Sequence, residues 1–180
     1  WSSDVCSSDL IIIIQRSRTL AQHPGQCAFP GGAIDETDVD AVDAALREAE
    51  EEIGLQRDTV DVLGTLPRVW VPVSGFAVTP VVAWWREPHD IRAVDRAEVH
   101  KVARISLADL TNSDNRVSVR HSSGYVGPAF LIDDLTIWGF TGGLLDNLLE
   151  AFGFASPWDA SVVIELAQRE PDQDSSISRS

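Results

Sequence analysis

Glu48, Glu51 and Glu52 stand at i, i+3 and i+4, the spacing that places side chains on one face of a helix. Like charges so arranged repel one another by a few tenths of a kcal/mol per pair. Two readings answer that repulsion: a solvated acidic face, or a site for a hard divalent cation such as Mg2+ or Mn2+, which takes carboxylate and water oxygens. Arg47, next to the cluster, is suited to orient or partly neutralise a glutamate through a bidentate pair. Glu50 points elsewhere and reads as merely solvated. Gly31-Gly32, just before the helix, tip the balance toward the cation. A glycine pair lets backbone approach an ion or a phosphate closely, and the Gly32 carbonyl can itself be a ligand.

The element that must carry these residues is a helix from about Val39 to Ile53, with Thr37, Asp38 and Asp40 as N-cap candidates and Gly54 just past its end. At 100° per residue, Val42, Ala45, Leu46, Ala49 and Ile53 form an apolar stripe that faces the core, with the glutamates beside it. Upstream, the β-branched run Ile11 to Ile14 predicts a buried strand. His23-Pro24-Gly25 and Pro30-Gly31-Gly32 mark turns, with Cys27 to Phe29 as a short strand between them. Downstream, strands are expected at Val60 to Leu66, Val69 to Val71, Phe76 to Trp85, Val99 to Ile105, Val117 to Arg120, Ala129 to Ile132 and Leu135 to Trp138. Trp84, Trp85 and Tyr125, lying in or near these strands, read as core in preference to adenine-stacking rings. Helices are expected at Phe140 to Phe152 and, from Ser156 followed by Pro157, at Pro157 to Gln168. This order of elements indicates the α+β class. Residues 11–169 make one domain. Residues 1–10, with the near-repeat SSDVCSSD, read as a non-native or disordered leader, and residues 170–180 as a disordered tail.

The formal net charge of -14, with Lys101 the only lysine, argues against nucleic acid as a partner, because binding it needs a basic surface. A phosphate-bearing substrate requires divalent cations to bridge the two negative partners. No apolar run reaches the roughly 18 residues of a membrane span. Cys6 and Cys27 lack metal-ligand spacing, so a reducing cytoplasm is the expected location.

Arg47-Glu48-Ala49-Glu50-Glu51-Glu52-Ile53-Gly54-Leu55 resembles the Nudix box ending R-E-U-x-E-E-x-G-U, where U is bulky aliphatic, with Ala49 small for its place. Counting back from Arg47, the usual glutamate falls on Val39 and the usual glycine on Ala33, so Gly32 stands one residue early. This longer front half, with Asp35, Asp38 and Asp40, is similar to the coenzyme A diphosphatase branch of the Nudix hydrolases. That branch carries R-S-x3-R-x3-G-x3-F-P-G-G, met here by Arg16, Ser17, Gly25, Phe29, Pro30, Gly31 and Gly32, with Ala21 in place of the second arginine. Pro72 to Phe76, Thr79-Pro80-Val81, Glu98-Val99 and Trp138 to Thr141 are also similar, so the resemblance covers about Ile11 to Phe152.

The resemblance implies a Nudix α/β/α sandwich with a mixed β-sheet and hydrolysis of the diphosphate of coenzyme A or its acyl derivatives to 3',5'-ADP and 4'-phosphopantetheine. The alternatives are a Nudix hydrolase of another nucleotide diphosphate, such as ADP-ribose or NADH, and a non-catalytic Nudix-like ligand-binding module. A complete carboxylate cluster argues against the last. In this reading Glu48, Glu51 and Glu52 hold Mg2+ or Mn2+, with the Gly32 carbonyl and Glu98 as further ligands. Glu52, Glu51 and Arg47 form the catalytic set, with Glu52 or Glu98 as the base. Arg16, Ser17 and His23 meet the substrate phosphates, and the loss of an arginine at Ala21 weakens that grip. A homodimer is compatible with the pattern.

Overall fold

The computed structural model describes residues 9–72 and 75–166. In chain order the elements are strand β1 (Leu10–Arg16), strand β2 (Cys27–Ala28), helix α1 (Ala41–Ile53), and strands β3 (Val60–Thr65), β4 (Val69–Val71), β5 (Phe76–Val78), β6 (Val81–Trp85) and β7 (Val99–Ser106). Helix α2 (Leu107–Thr111), strands β8 (Arg116–His121), β9 (Val126–Ile132) and β10 (Leu135–Ile137), helix α3 (Gly139–Ala151) and strand β11 (Val163–Leu166) follow. The class is α+β, as expected.

β1 lies at the centre of a three-stranded antiparallel sheet in the order β2-β1-β7. Its side chains alternate between two buried layers. Ile13 joins Ile105, Cys27, Phe130 and Leu145 on one face, whereas Ile14 joins Ile53 and Val99 on the other. A strand covered on both faces reads as an unbroken apolar run instead of an alternating one, which accounts for Ile11 to Ile14. Helix α1 covers the second face through Ile53.

The first face meets a four-stranded mixed sheet, β10-β9-β8-β11, in which only β8 and β11 run parallel. α3 packs against this sheet through Leu145 and Leu149. Gly142 allows the close approach, because a Cβ there would lie 2.9 Å from the Pro128 carbonyl oxygen and 3.0 Å from that of Ile137. The Thr141 hydroxyl donates to the Cys27 carbonyl at 3.0 Å and ties α3 to β2.

The remaining strands form one long hairpin arm. β3 pairs with β6 from Val60↔Trp85 to Thr65↔Val81, and β4 pairs with β5 from Val69↔Val78 to Val71↔Phe76. The Leu66 N–H donates to the Pro80 carbonyl at 2.9 Å and bridges the two ladders. The base is anchored by Trp85, whose Nε1–H donates to the Thr59 hydroxyl at 3.2 Å and whose ring meets His89 edge-on.

Three expectations are corrected. Pro157 to Gln168 does not form a helix: Gln168 lies outside the described residues, and Val163–Leu166 is strand β11, paired with Ser118 to His121. The run Val162-Val163-Ile164 favours a strand. Tertiary contacts complete the choice: the Arg116 guanidinium lies between the rings of Phe130 (4.4 Å) and Trp158 (4.6 Å), and the Ser118 hydroxyl donates to the Ala160 carbonyl at 2.7 Å. Second, the single strand expected from Phe76 to Trp85 is interrupted at Thr79-Pro80, where proline has no N–H to give the ladder. Third, Trp84 is not core but 57% exposed on the arm.

Candidate metal centre

Helix α1 begins at Ala41, two residues later than the pattern suggested, because Asp40 is the cap. Its Oδ1 accepts from the Val42 and Asp43 N–H groups, both at 2.9 Å. Gly54 ends the helix in the left-handed region at φ 73°, as a C-terminal glycine does. The apolar stripe is rotated from its expected position. Ala49 and Ile53 are buried, but so are Ala44 and Glu52, so the acidic arc partly faces inward.

The three glutamates therefore have different surroundings. Glu52 is 2% exposed, and its Oε2 accepts the Gly31 N–H at 3.0 Å. Glu48 packs on the neighbouring glycine: a Cβ at Gly32 would lie only 2.4 Å from Glu48 Oε1. Two carboxylates thus converge on the Gly31-Gly32 pair. Glu51 does not join them; it is largely exposed and accepts from Arg47 Nη1 at 3.0 Å. Glu50 is exposed. Among the described residues no three His, Cys, Asp or Glu side chains are gathered closely enough to hold a metal ion as they stand.

Arg47 connects the helix to the preceding loop. Its Nε and Nη2 donate to the two oxygens of Asp38 at 2.9 and 3.0 Å, its Nη2 also to the Ala33 carbonyl at 3.1 Å, and its Nη1 lies 3.0 Å from Glu48 Oε1. The same Asp38 carboxylate accepts the Asp35 N–H at 2.7 Å. These donors hold Asp38 below the ordinary carboxylate range, the Arg47 hydrogen bonds being the main cause. In the sequence Asp38 stood out as a cap candidate and as one of the acids of the longer front half, not as the partner of Arg47. It stands one residue before Val39, the position on which the usual glutamate falls. The signal was present in the acid beside that position.

Glu52 is pushed up to about 7, chiefly by burial; the Gly31 N–H opposes the shift, Glu48 and Glu98 add to it, and Arg16 opposes it. Arg16 and Glu98 therefore act on the same carboxylate. Arg16 ends β1 and Glu98 immediately precedes β7, and the two segments are joined there by the Ser17 N–H, which donates to the Glu98 carbonyl at 2.7 Å. The Arg16 Nε is buried without a hydrogen-bond partner. Ser17 is buried, with its hydroxyl 2.8 Å from that of Thr19. His23 is bound to Gln26 through Nδ1 at 3.0 Å, and no hydrogen bond among the described residues joins it to the glycine pair or the glutamates.

An acidic helix, a glycine pair facing two of its carboxylates and an arginine latching loop to helix are the parts of a Nudix box, and the NUDIX domain matches residues 5–123. The chain belongs to the Nudix family. It is 35% identical over 155 residues to the uncharacterized Nudix hydrolase NudL of Cronobacter sakazakii, covering 79% of this chain and 75% of that one. The NudL of Escherichia coli K12 is 37% identical over 147 residues with the same coverage. Among solved structures, the Nudix hydrolase RenU of M. smegmatis has the same fold, with a TM-score of 0.56 at 19% identity, covering 83% of this chain and 79% of that one. The chain is thus a Nudix hydrolase, of the class that acts on nucleotide diphosphates with divalent metal ions. No helix among the described residues is long and apolar enough to cross a membrane.

Proposed function

We propose that this protein hydrolyses the diphosphate of coenzyme A or of its acyl derivatives, giving 3',5'-ADP and 4'-phosphopantetheine or its acylated form. The observation that carries the reading is the convergence of Glu48 and Glu52 on Gly31-Gly32, beside an Arg16 whose buried Nε lacks a partner. A buried, unsatisfied donor is costly, and an anionic oxygen of the substrate would satisfy it. The Arg16-Ser17 to Phe29-Pro30-Gly31-Gly32 element, which is similar to the coenzyme A branch, supports the choice of substrate.

The donors fit Mg2+ or Mn2+: carboxylate oxygens of Glu48 and Glu52, with the Gly32 carbonyl nearby and Glu98 at the margin. Glu51 would join after turning away from Arg47. A bound divalent ion lowers the pKa of water and offsets charge on the phosphates. The chain supplies the rest. Arg16 grips a phosphate oxygen, and the Arg47–Asp38 pair holds the glycine loop against the helix. Glu52, buried and raised toward neutrality, is suited to accept the proton of the attacking water. Ser17 acts through its backbone bond to Glu98, and His23 is left to shape the turn.

The test is a substrate panel with Mg2+ or Mn2+: coenzyme A, an acyl-coenzyme A, ADP-ribose and NADH, with products identified by mass. Release of 3',5'-ADP from coenzyme A is expected. Turnover of ADP-ribose without turnover of coenzyme A would overturn the substrate and leave the hydrolase.

A further inference from the structure

Between β6 and β7 the chain forms neither helix nor strand, yet it is fastened along its length. The His89 Nε2 accepts the Gln56 N–H at 3.1 Å, and the Arg104 guanidinium donates to the His89 carbonyl at 3.0 Å. The Arg92 N–H donates to the Ile53 carbonyl at 3.1 Å, and the Val94 N–H to the Glu52 carbonyl at 2.9 Å. The last carbonyls of a helix have no partner within it, so this segment serves those of α1 from outside. Ile91 and Ala93 pack on Ile14, Ile53 and Val99. The fit is close at Gly54, where a Cβ would lie 3.3 Å from Val94 Cγ2.

Asp95 follows at once and turns the chain toward Glu98. Its carbonyl accepts the Val99 N–H at 2.8 Å and the Glu98 N–H at 3.3 Å, and its Oδ1 accepts the Ala97 N–H at 2.8 Å. An aspartate that closes on the N–H two residues ahead imitates a backbone turn. Beyond the turn Val99 is wholly buried, and the Ser17 N–H pins the Glu98 carbonyl at 2.7 Å. The main chain of Glu98 is thereby held on both sides, while its side chain stays at the surface. One end of the segment thus grips the peptide of Glu52, and the other carries Glu98.

We propose that Asp95 is a positioning residue, whose side chain sets the turn that presents Glu98 to the metal centre. This role rests on the proposed reading of Glu98 as a ligand at the margin of that centre. The Glu98 carboxylate is near enough to Glu52 to add to its upward shift. Asp95 forms no ion pair among the described residues, and its carboxylate bonds to the turn. Its contribution is therefore an acceptor at one place, which an amide oxygen supplies equally well.

Mn2+ binding to the full chain, followed by calorimetry without substrate, reads this role apart from turnover. Asp95→Ala is expected to weaken Mn2+ binding about tenfold, the low end for residues that orient a ligand. Asp95→Asn, which keeps the acceptor, is expected to stay within about twofold of the parent chain. Asp95→Ser, whose hydroxyl closes such a turn more weakly, should fall between them, and it replaces the alanine variant if melts show the latter unfolded. Glu98→Gln should itself weaken binding, and in that background Asp95→Ala should add nothing. Unchanged affinity in Asp95→Ala, with weak binding in Glu98→Gln, would overturn the inference and leave the role of Glu98 standing. Equal losses in Asp95→Asn and Asp95→Ala, or an undiminished loss in the Glu98→Gln background, would overturn it too. Unchanged affinity in Glu98→Gln would remove Glu98 from the metal centre and the inference with it.

Discussion

The Gly31 to Leu55 loop and helix and the Val60 to Trp85 arm adjoin in the chain yet solve opposite problems. The first is dense in charge and answers most of it internally: Arg47 alone reaches Asp38, Glu48, Glu51 and the Ala33 carbonyl. The second has almost no charge and leaves its apolar side chains in water. Polar groups can be satisfied locally by neighbours a few residues away, because hydrogen bonds are short and directional. Apolar surface needs a large complementary face, which a two-stranded ribbon cannot supply to itself. Charge is thus settled locally, within the chain, whereas the apolar side chains of the arm stay open to solvent.

The contrast breaks first at Glu52. Glu52→Gln keeps the shape and an acceptor for the Gly31 N–H but removes the proton-accepting carboxylate, so kcat with Mg2+ should fall by roughly 10²–10⁴, read as product formed per unit time. Near-normal turnover would remove Glu52 from the chemistry.

Gly32→Ala sharpens the comparison from the backbone side. Its added Cβ meets only the end of the flexible Glu48 side chain. The fold should tolerate it, with an unchanged melting temperature, while the displaced carboxylate costs about tenfold to a hundredfold in kcat. Asp38→Ala should act through Arg47, loosening the 31–38 loop; limited proteolysis would then cut the variant within that loop faster than the parent chain.

The pH dependence of stability follows from the same buried group. Glu52 has its folded pKa raised from 4.5 to about 7, so the folded state binds more protons than the unfolded state between those values. Metal-free stability should therefore fall as pH rises from about 4.5 to 7, by at most about 3 kcal/mol. In thermal melts without divalent ions, Glu52→Gln should flatten that slope and be the more stable chain at pH 8. A slope unchanged by the substitution would assign it to other groups. The smallest effect belongs to the arm: Leu63→Ser, at a side chain 68% exposed, should alter stability by no more than about 0.5 kcal/mol in thermal melts.

Much of this was legible beforehand, for reasons that residues make plain. The Ile11 to Ile14 run, the C-terminal Gly54 and the inward-facing Ile53 are local patterns with one outcome each, whereas Asp40 was one of three cap candidates and only the structure singles it out. The Nudix reading followed from Arg47 to Leu55, because its spacing is fixed by the helix. Glu51 separated from Glu48 and Glu52 because the helix turns it outward, 60% exposed against 17% for Glu48, which depends on how the helix is seated and not on spacing. β11 was misread because Ser156-Pro157 is a sound helix start, and only the stacking of Trp158 on Arg116 and the partner strand β8 decide otherwise. Trp84 was misread because a run without charge looks buried on both faces, although the face it shares with Asp61 is open.

Cys27 offers a last consequence. It is 6% exposed, and burial, with Asp134 nearby, pushes its thiol up to about 11. Only the thiolate is an effective nucleophile, so near neutral pH this sulfur is silent while β2 stays docked on β1. Each time that edge opens, the thiol becomes reactive. In a Cys6→Ser background, the alkylation rate relative to that of the unfolded chain converts directly into the free energy of opening. Since Cys27 lies four residues before Gly31, the protein carries its own clock for the loosening of the loop on which the two buried carboxylates depend.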